Sequence, residues 1–300
     1  LPTFLDVNRL LDSSRPVRQI NWSWAAVGVI LLLSVLGNLG ASKDNSKDAA
    51  EARGVQAITT VLIVGALAVQ AYLSIRRVRS LQAQQQTVDA IEEMVQLRRW
   101  ESAGMLLDRF LSEPVKSIRT WALSLVQLSI LLARHHRFED AITVQEFLID
   151  NQLLDDQGDY YIRMSRAMSM LREDHLVDAD RAISDLRRRG PEAGSGGLAL
   201  IEMFRDVKTG HPQEAIDIFA KHLPKMRQQL SNRVADAHAL AARAYDMLGR
   251  ADEARAAYER ATLLAPVIEL ERRYPEVAKL AEKYPAAPTP PTPLPPLEAR

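Results

Sequence analysis

Catalysis at neutral pH needs nucleophiles, proton carriers or metal ligands within a few ångströms of one another, and this sequence offers few candidates. Cysteine is absent, which removes thiolate nucleophiles, thiolate metal sites and disulfides. The six histidines are His135, His136, His175, His211, His222 and His238. None forms an HExxH pair, and the first four fall where the chain is expected to turn, which favours solvated positions over ligation. The stretch RRRGPEAGSGG, 187 to 197, lacks the Gly-Lys-Ser/Thr ending of a phosphate-cradling loop and reads as a linker. Three arginines in LRRRG, 186 to 190, suit the negative end of a helix dipole. No aromatic residues interleave with them, as a nucleic-acid surface would require. Carboxylates are plentiful on helix faces, yet no pair has a sequence reason to be buried together. The expectation is a chain that is not an enzyme, with no catalytic residue, no metal and no cofactor.

Bulk charge points the same way. Lysine plus arginine number 38 and aspartate plus glutamate 38, a formal net charge of zero, so no global field draws the chain to nucleic acid. Arginine outnumbers lysine thirty to eight, a bias of GC-rich genomes.

Two stretches without charge stand out near the start. One runs from Gln19 to Ser42 and the other from Gly54 to Ile75. At 1.5 Å rise per residue, about 20 apolar residues cross a hydrocarbon core, so spans are expected over about 20–41 and 55–75. Trp22, Trp24 and Tyr72 sit at their edges as interfacial rings do. Arg9, Arg15 and Arg18 precede the first span, and Arg76, Arg77 and Arg79 follow the second. That bias predicts a helical hairpin with both termini cytoplasmic, and a bacterial inner membrane as its location. Residues 1–19 form a juxtamembrane segment, with TFLDVNRLLDSSRPVRQ expected to lie on lipid as a short amphipathic helix. No proline falls between Gly65 and Pro114, so the second span should continue unbroken as helix from Val55 to Leu97.

Beyond the spans the sequence repeats. The hexamers RRWESA, HRFEDA, DHLVDA, GHPQEA and GRADEA end at Ala103, Ala141, Ala179, Ala215 and Ala254, at intervals of 38, 38, 36 and 39 residues. A helical run follows each, and another helical pattern precedes each, such as Leu125, Leu128 and Leu132. Two antiparallel helices need a small residue where they cross, which explains the recurring alanine. Gly249 suits the left-handed end of a first helix; of the other copies only the fourth keeps a glycine, Gly210. The third and fourth turns are expected to be one residue shorter. A lone hairpin cannot bury its apolar face, so the copies should stack as a solenoid.

Residues 235 to 266 resemble a tetratricopeptide repeat. Ala242, Tyr245, Gly249, Ala254, Tyr258, Ala261 and Pro266 fall on that motif's positions, while His238 and Ala241 stand where its tryptophan and leucine would be. The resemblance implies a right-handed α-solenoid of about five helical hairpins over 76–266, which together with the transmembrane hairpin expected over 20–75 makes an all-α protein. A polar capping helix is expected over 267–284. The last part, 285–300, holds seven prolines and reads as a disordered, polyproline-favouring tail.

In that family the face lined by the first helix of each hairpin binds peptides. Here the repeat register brings Arg134, Arg172, Arg205, Lys208 and Arg243 to this groove, with Leu123, Val126 and Ile130 as its apolar end. Such a groove favours protein or peptide partners, acidic and extended ones above all. The function expected is a membrane-anchored scaffold or adaptor that gathers protein partners during complex assembly, in contact with membrane lipid. The alternative is an integral structural or assembly subunit of a larger membrane complex.

Overall fold

The computed structural model describes residues 5–16, 28, 49–189 and 195–284. Most of the first uncharged run and the proline-rich tail lie outside the described residues. Every regular element among the described residues is helical. Two compact units emerge, Leu1–Leu131 and Leu132–Arg300.

In the first unit α1 (Val7–Ser13) is capped by Asp6, whose carboxylate accepts from the Arg9 backbone N–H at 3.2 Å. It is followed by α2 (Ala49–Gln96), α3 (Trp100–Leu111) and α4 (Ile118–Arg134), the last ending just inside the second unit. The apolar face of α1 is not laid on lipid, as the sequence suggested, but buried on protein: Leu5, Val7, Leu10 and Leu11 are all nearly inaccessible. Arg9 pairs with Asp108 at 3.1 Å, and Ser13 Oγ donates to the Leu111 carbonyl at 2.9 Å. The indole of Trp121 donates to Ser14 Oγ at 2.7 Å, and the Val115 N–H donates to the Ser14 carbonyl at 3.1 Å.

The 48 residues of α2 form one uninterrupted helix, about 72 Å long at 1.5 Å per residue. Its C-terminal part is held in the unit through buried Val88 and Ile91 and through Gln84, which accepts from the Lys116 N–H at 3.0 Å. Upstream the picture reverses. Val61, Val64, Leu67, Val69, Tyr72, Leu73, Ile75 and Val78 are all more than half exposed. Among the described residues no helix is long and apolar enough to cross a membrane. The second uncharged run lies in α2, and residues 54–59, 62, 63 and 66 of it fall outside the described side chains.

The second unit contains α5 (Phe138–Asp150), α6 (Asp156–Arg172), α7 (Leu176–Arg189), α8 (Gly196–Thr209), α9 (Pro212–Gln229), α10 (Val234–Met247) and α11 (Ala251–Leu264), then α12 (Val267–Arg273) and α13 (Ala278–Lys283). Neighbours in sequence pack as hairpins: α5 on α6, α6 on α7, α8 on α9, α9 on α10, and α10 on α11. Alternate helices also touch, α6 with α8 and α8 with α10, so the hairpins stack through their first helices. In α10 Ala235, Ala237, Ala239, Ala241, Ala242 and Ala244 are fully buried, since only small side chains admit helices on several sides at once.

One turn geometry recurs in all five copies. The first residue of each hexamer adopts a left-handed backbone: Arg98 (φ 59°), His136 (59°), Asp174 (60°), Gly210 (78°) and Gly249 (74°). The next residue's N–H then bonds back to the closing helix: Arg99 to Met94 at 2.8 Å, Arg137 to Leu132 at 3.0 Å, His175 to Met170 at 2.9 Å, His211 to Asp206 at 2.8 Å and Arg250 to Tyr245 at 3.0 Å. That same residue's carbonyl accepts the N–H of the hexamer's alanine, which opens the second helix. All five alanines are 0% exposed. The turns are therefore of equal length, against the expectation of shorter third and fourth copies. The unequal intervals come from elsewhere, including helix length, as in the 17 residues of α6 against the 14 of α8.

Of the stretch 187–197 expected as a linker, residues 190–194 lie outside the described residues, and the described ends belong to helices. Arg187, Arg188 and Arg189 finish α7, and Ser195 caps α8 by accepting from the Leu198 N–H at 3.1 Å. Gly196 is needed for close approach, because a Cβ there would lie 3.0 Å from the Cα of Met226.

Candidate functional site

The face shared by α6, α8 and α10 is the one expected from the sequence to form a groove, and part of the chain lies against it. Residues 267–284 do not form a single polar helix: Pro275 breaks the helix and a 3-10 turn (Pro275–Val277) joins α12 to α13. Leu270, Tyr274, Val277, Leu280 and Tyr284 are buried.

Four successive first helices contribute contacts to this segment. From the end of α4, Arg134 donates both guanidinium NH2 groups to Glu269, at 2.9 and 2.7 Å. These bonds outweigh partial burial and pull the Glu269 carboxyl down to about 2. From α6, Arg172 lies 5.8 Å from the centroid of the Tyr274 ring and 5.2 Å from that of Phe138. From α8, Phe204 meets Tyr274 edge to face at 5.0 Å, and Lys208 reaches Glu276 at 3.5 Å. From α10, fully buried Asp236 accepts from Arg273 at 2.6 Å and from the Tyr274 hydroxyl at 3.3 Å. Burial, followed by the charge of Asp236, pushes the Tyr274 phenol up to about 12, so it remains a donor at every working pH.

The basic residues anticipated for a groove thus divide. Arg134, Arg172 and Lys208 converge on residues 269–276. Arg205 instead faces Asp206 at 2.7 Å and Asp180 at 3.3 Å, and Arg243 faces Asp246 at 3.0 Å. Lys208 also donates to the Leu171 carbonyl at 2.7 Å and to Asp174. Leu123 and Val126 are half-buried and Ile130 is 38% exposed, all three in the first unit. Sequence reasoning placed Asp236 in the groove only as a charge that dilutes its positive field, and missed Glu269, Arg273 and Tyr274. A signal was present in two cation-Tyr-Pro triplets, Arg273-Tyr274-Pro275 and Lys283-Tyr284-Pro285.

Elsewhere the polar groups are arranged for packing. Two of the histidines are poor proton carriers: burial, then neighbouring positive charge, lowers His135 and His238 to about 4. A cavity of about 970 Å³ at the N-terminal end of α6 is lined by Tyr160, Tyr161 and Arg163 among others, but Arg163 is already paired with Asp159 at 2.6 Å. Among the described residues no cluster of three or more His, Cys, Asp or Glu could hold a metal ion.

The class these observations define is an all-helical protein of sequentially stacked helical hairpins. No protein-family model matches the chain, and no curated protein shows significant similarity to it.

Proposed function

We propose that this chain is a non-enzymatic, membrane-anchored scaffold of the tetratricopeptide kind, which holds protein segments on the face of its first helices. The observation that carries the anchor is α2, whose described apolar side chains from Val61 to Val78 are exposed, and which is continuous with the helix that enters the first hairpin. A helix apolar around its circumference is stable only when buried in protein or in lipid. The docking of α1 supports a two-span hairpin. Residues 5–16 and residues 84–121 pack together, so the chain between them crosses a membrane an even number of times. The uncharged runs at 20–41 and 55–75 supply two crossings, and both termini share the cytoplasmic face. The solenoid reading is supported by five equal turns and by the contacts that link alternate helices.

Because cysteine is absent, single introduced cysteines report sidedness without background. In bacterial spheroplasts, Asn45→Cys in the connecting loop should react with an impermeant maleimide, whereas Ser231→Cys in the array should react only after lysis. Release of the protein by alkaline carbonate would refute the anchor. Purification in mild detergent, followed by mass spectrometry, tests the scaffold. Recovery of salt-labile protein partners supports it, and a stoichiometric, salt-resistant assembly would instead identify a structural subunit.

A further inference from the structure

The C-terminal segment docks on α10 twice in the same way. Tyr274 and Tyr284 are ten residues apart, and so are Asp236 and Asp246. The Tyr274 hydroxyl donates to Asp236 at 3.3 Å and the Tyr284 hydroxyl to Asp246 at 3.3 Å. The cation before each tyrosine binds the same carboxylate, Arg273 with Asp236 and Lys283 with Asp246. The backbone repeats too, with Tyr274 at φ −137°, ψ 86° and Tyr284 at φ −127°, ψ 73°. The following proline explains it. Its ring excludes the helical conformation from the residue before it, so each triplet ends a short helix and turns its tyrosine inward beside its cation.

We propose that Asp236 and Asp246 form a two-point receptor for cation-Tyr-Pro motifs, filled in cis by residues 267–284, and that the partner is a protein segment carrying the same motif. The inference rests on the scaffold reading only in taking this face to serve a partner.

Three observations make the segment exchangeable. Its helices are 7 and 6 residues long, too short to persist alone. Its outward side chains, such as Ile268 at 73% exposure, remain uncovered. The cis fit is also imperfect, since Arg172 Nε and Glu276 Oε2 are buried without a hydrogen-bond partner. Charge complementarity sets the ligand chemistry. Each carboxylate is paired with the arginine three residues before it, Asp236 with Arg233 at 3.2 Å and Asp246 with Arg243 at 3.0 Å. Each accepts in addition from the segment's cation and phenol, while Arg134 and Lys208 pair with Glu269 and Glu276 on either side of the first triplet.

The test uses the full chain in mild detergent with a protease site inserted after Leu264, and a fluorescein-labelled synthetic peptide of residues 267–286 as probe. A short tether holds the cis segment at roughly millimolar effective concentration. Cleavage should therefore strengthen probe binding by about a hundredfold for a probe of ~10 μM affinity. Probe with Tyr284→Phe, or cleaved protein with Asp246→Asn, should bind at least about tenfold more weakly, as expected for a lost hydrogen bond to a charged group. Asp246→Asn serves because its side chain is 11% exposed, so folding is less at stake than at buried Asp236; circular dichroism checks it. If the severed segment never exchanges with probe, or if probe binding ignores both changes, the receptor is refuted. Such a failure leaves sidedness and partner recovery untouched. Conversely, loss of the membrane anchor or of partners would leave probe exchange intact.

Discussion

Gly249 and Gly210 give the sharpest test of the repeated turn. Both have positive φ, and a Cβ built on either meets nothing within 4 Å. Replacement by alanine therefore carries no packing penalty, only the roughly 1–2 kcal/mol cost of a left-handed L-residue. Against this stands roughly 0.4–1 kcal/mol gained by restricting the unfolded chain, leaving a net loss of about 1 kcal/mol. Arg98 already bears that cost at φ 59°, so Arg98→Gly should stabilise its turn by a similar amount. Native-state hydrogen exchange reads each turn locally, which matters because stacked hairpins need not unfold as one unit. The reporter is the Arg250 amide, bonded to the Tyr245 carbonyl at 3.0 Å. It should exchange roughly fivefold faster in Gly249→Ala, as 1 kcal/mol requires, and Gly249→Asn should lie between alanine and glycine because asparagine tolerates this conformation. At the Arg99 amide, Arg98→Gly should slow exchange. Unchanged protection in Gly249→Ala, or faster exchange in Arg98→Gly, would show that backbone conformation does not limit these turns.

Three further expectations concern other parts of the molecule. His238, 6% exposed against Phe219, has a folded-state value of about 4 against an ordinary 6.5. Its contribution, about 3 kcal/mol, is present above pH 6.5 and lost as pH falls toward 4. The second unit's denaturant midpoint should drop over that window, less so in His238→Gln, and a side-chain NMR titration midpoint above 6 would contradict it. Ser14→Ala should remove the hydroxyl that accepts from the buried Trp121 indole N–H at 2.7 Å and cost roughly 0.5–1.5 kcal/mol, read from tryptophan fluorescence during urea unfolding. Gln86→Pro, placed inside α2, should cost about 3 kcal/mol and widen the distribution of donor–acceptor distances between labels on α2 upstream of Arg76 and on α3. An unchanged distribution would mean that α2 does not work as a rigid prop.

Much of the architecture is legible in the sequence because it is set by local contacts. The alanines at 103, 141, 179, 215 and 254 mark helix crossings, and the absence of proline from Gly65 to Pro114 allows one long helix. The equal turns were harder to see. Arginine, histidine and aspartate stand where glycine would advertise a left-handed residue, and the hydrogen bond that holds each of them there is invisible to residue type. The uncharged runs are equally plain in the sequence, since hydrocarbon length and residue rise alone define them.

Only tertiary structure decided what lies on the first-helix face. Arg134 meets Glu269 across 135 positions of sequence, and Asp236 meets Tyr274 across 38. No periodicity encodes such pairs; they exist because Arg134 and the stacked helices α6, α8 and α10 lie beside a segment that Pro275 has bent inward. Likewise α1 reads as amphipathic from its own residues, but amphipathicity does not specify whether lipid or protein covers the apolar side. Ser14, Trp121 and Asp108 settle that in favour of protein. The sequence by itself determined the repeating unit, because a helix and its turn are encoded within five or six residues. The tertiary structure decided which charges are already paired, because a charge's partner depends on where distant helices stop.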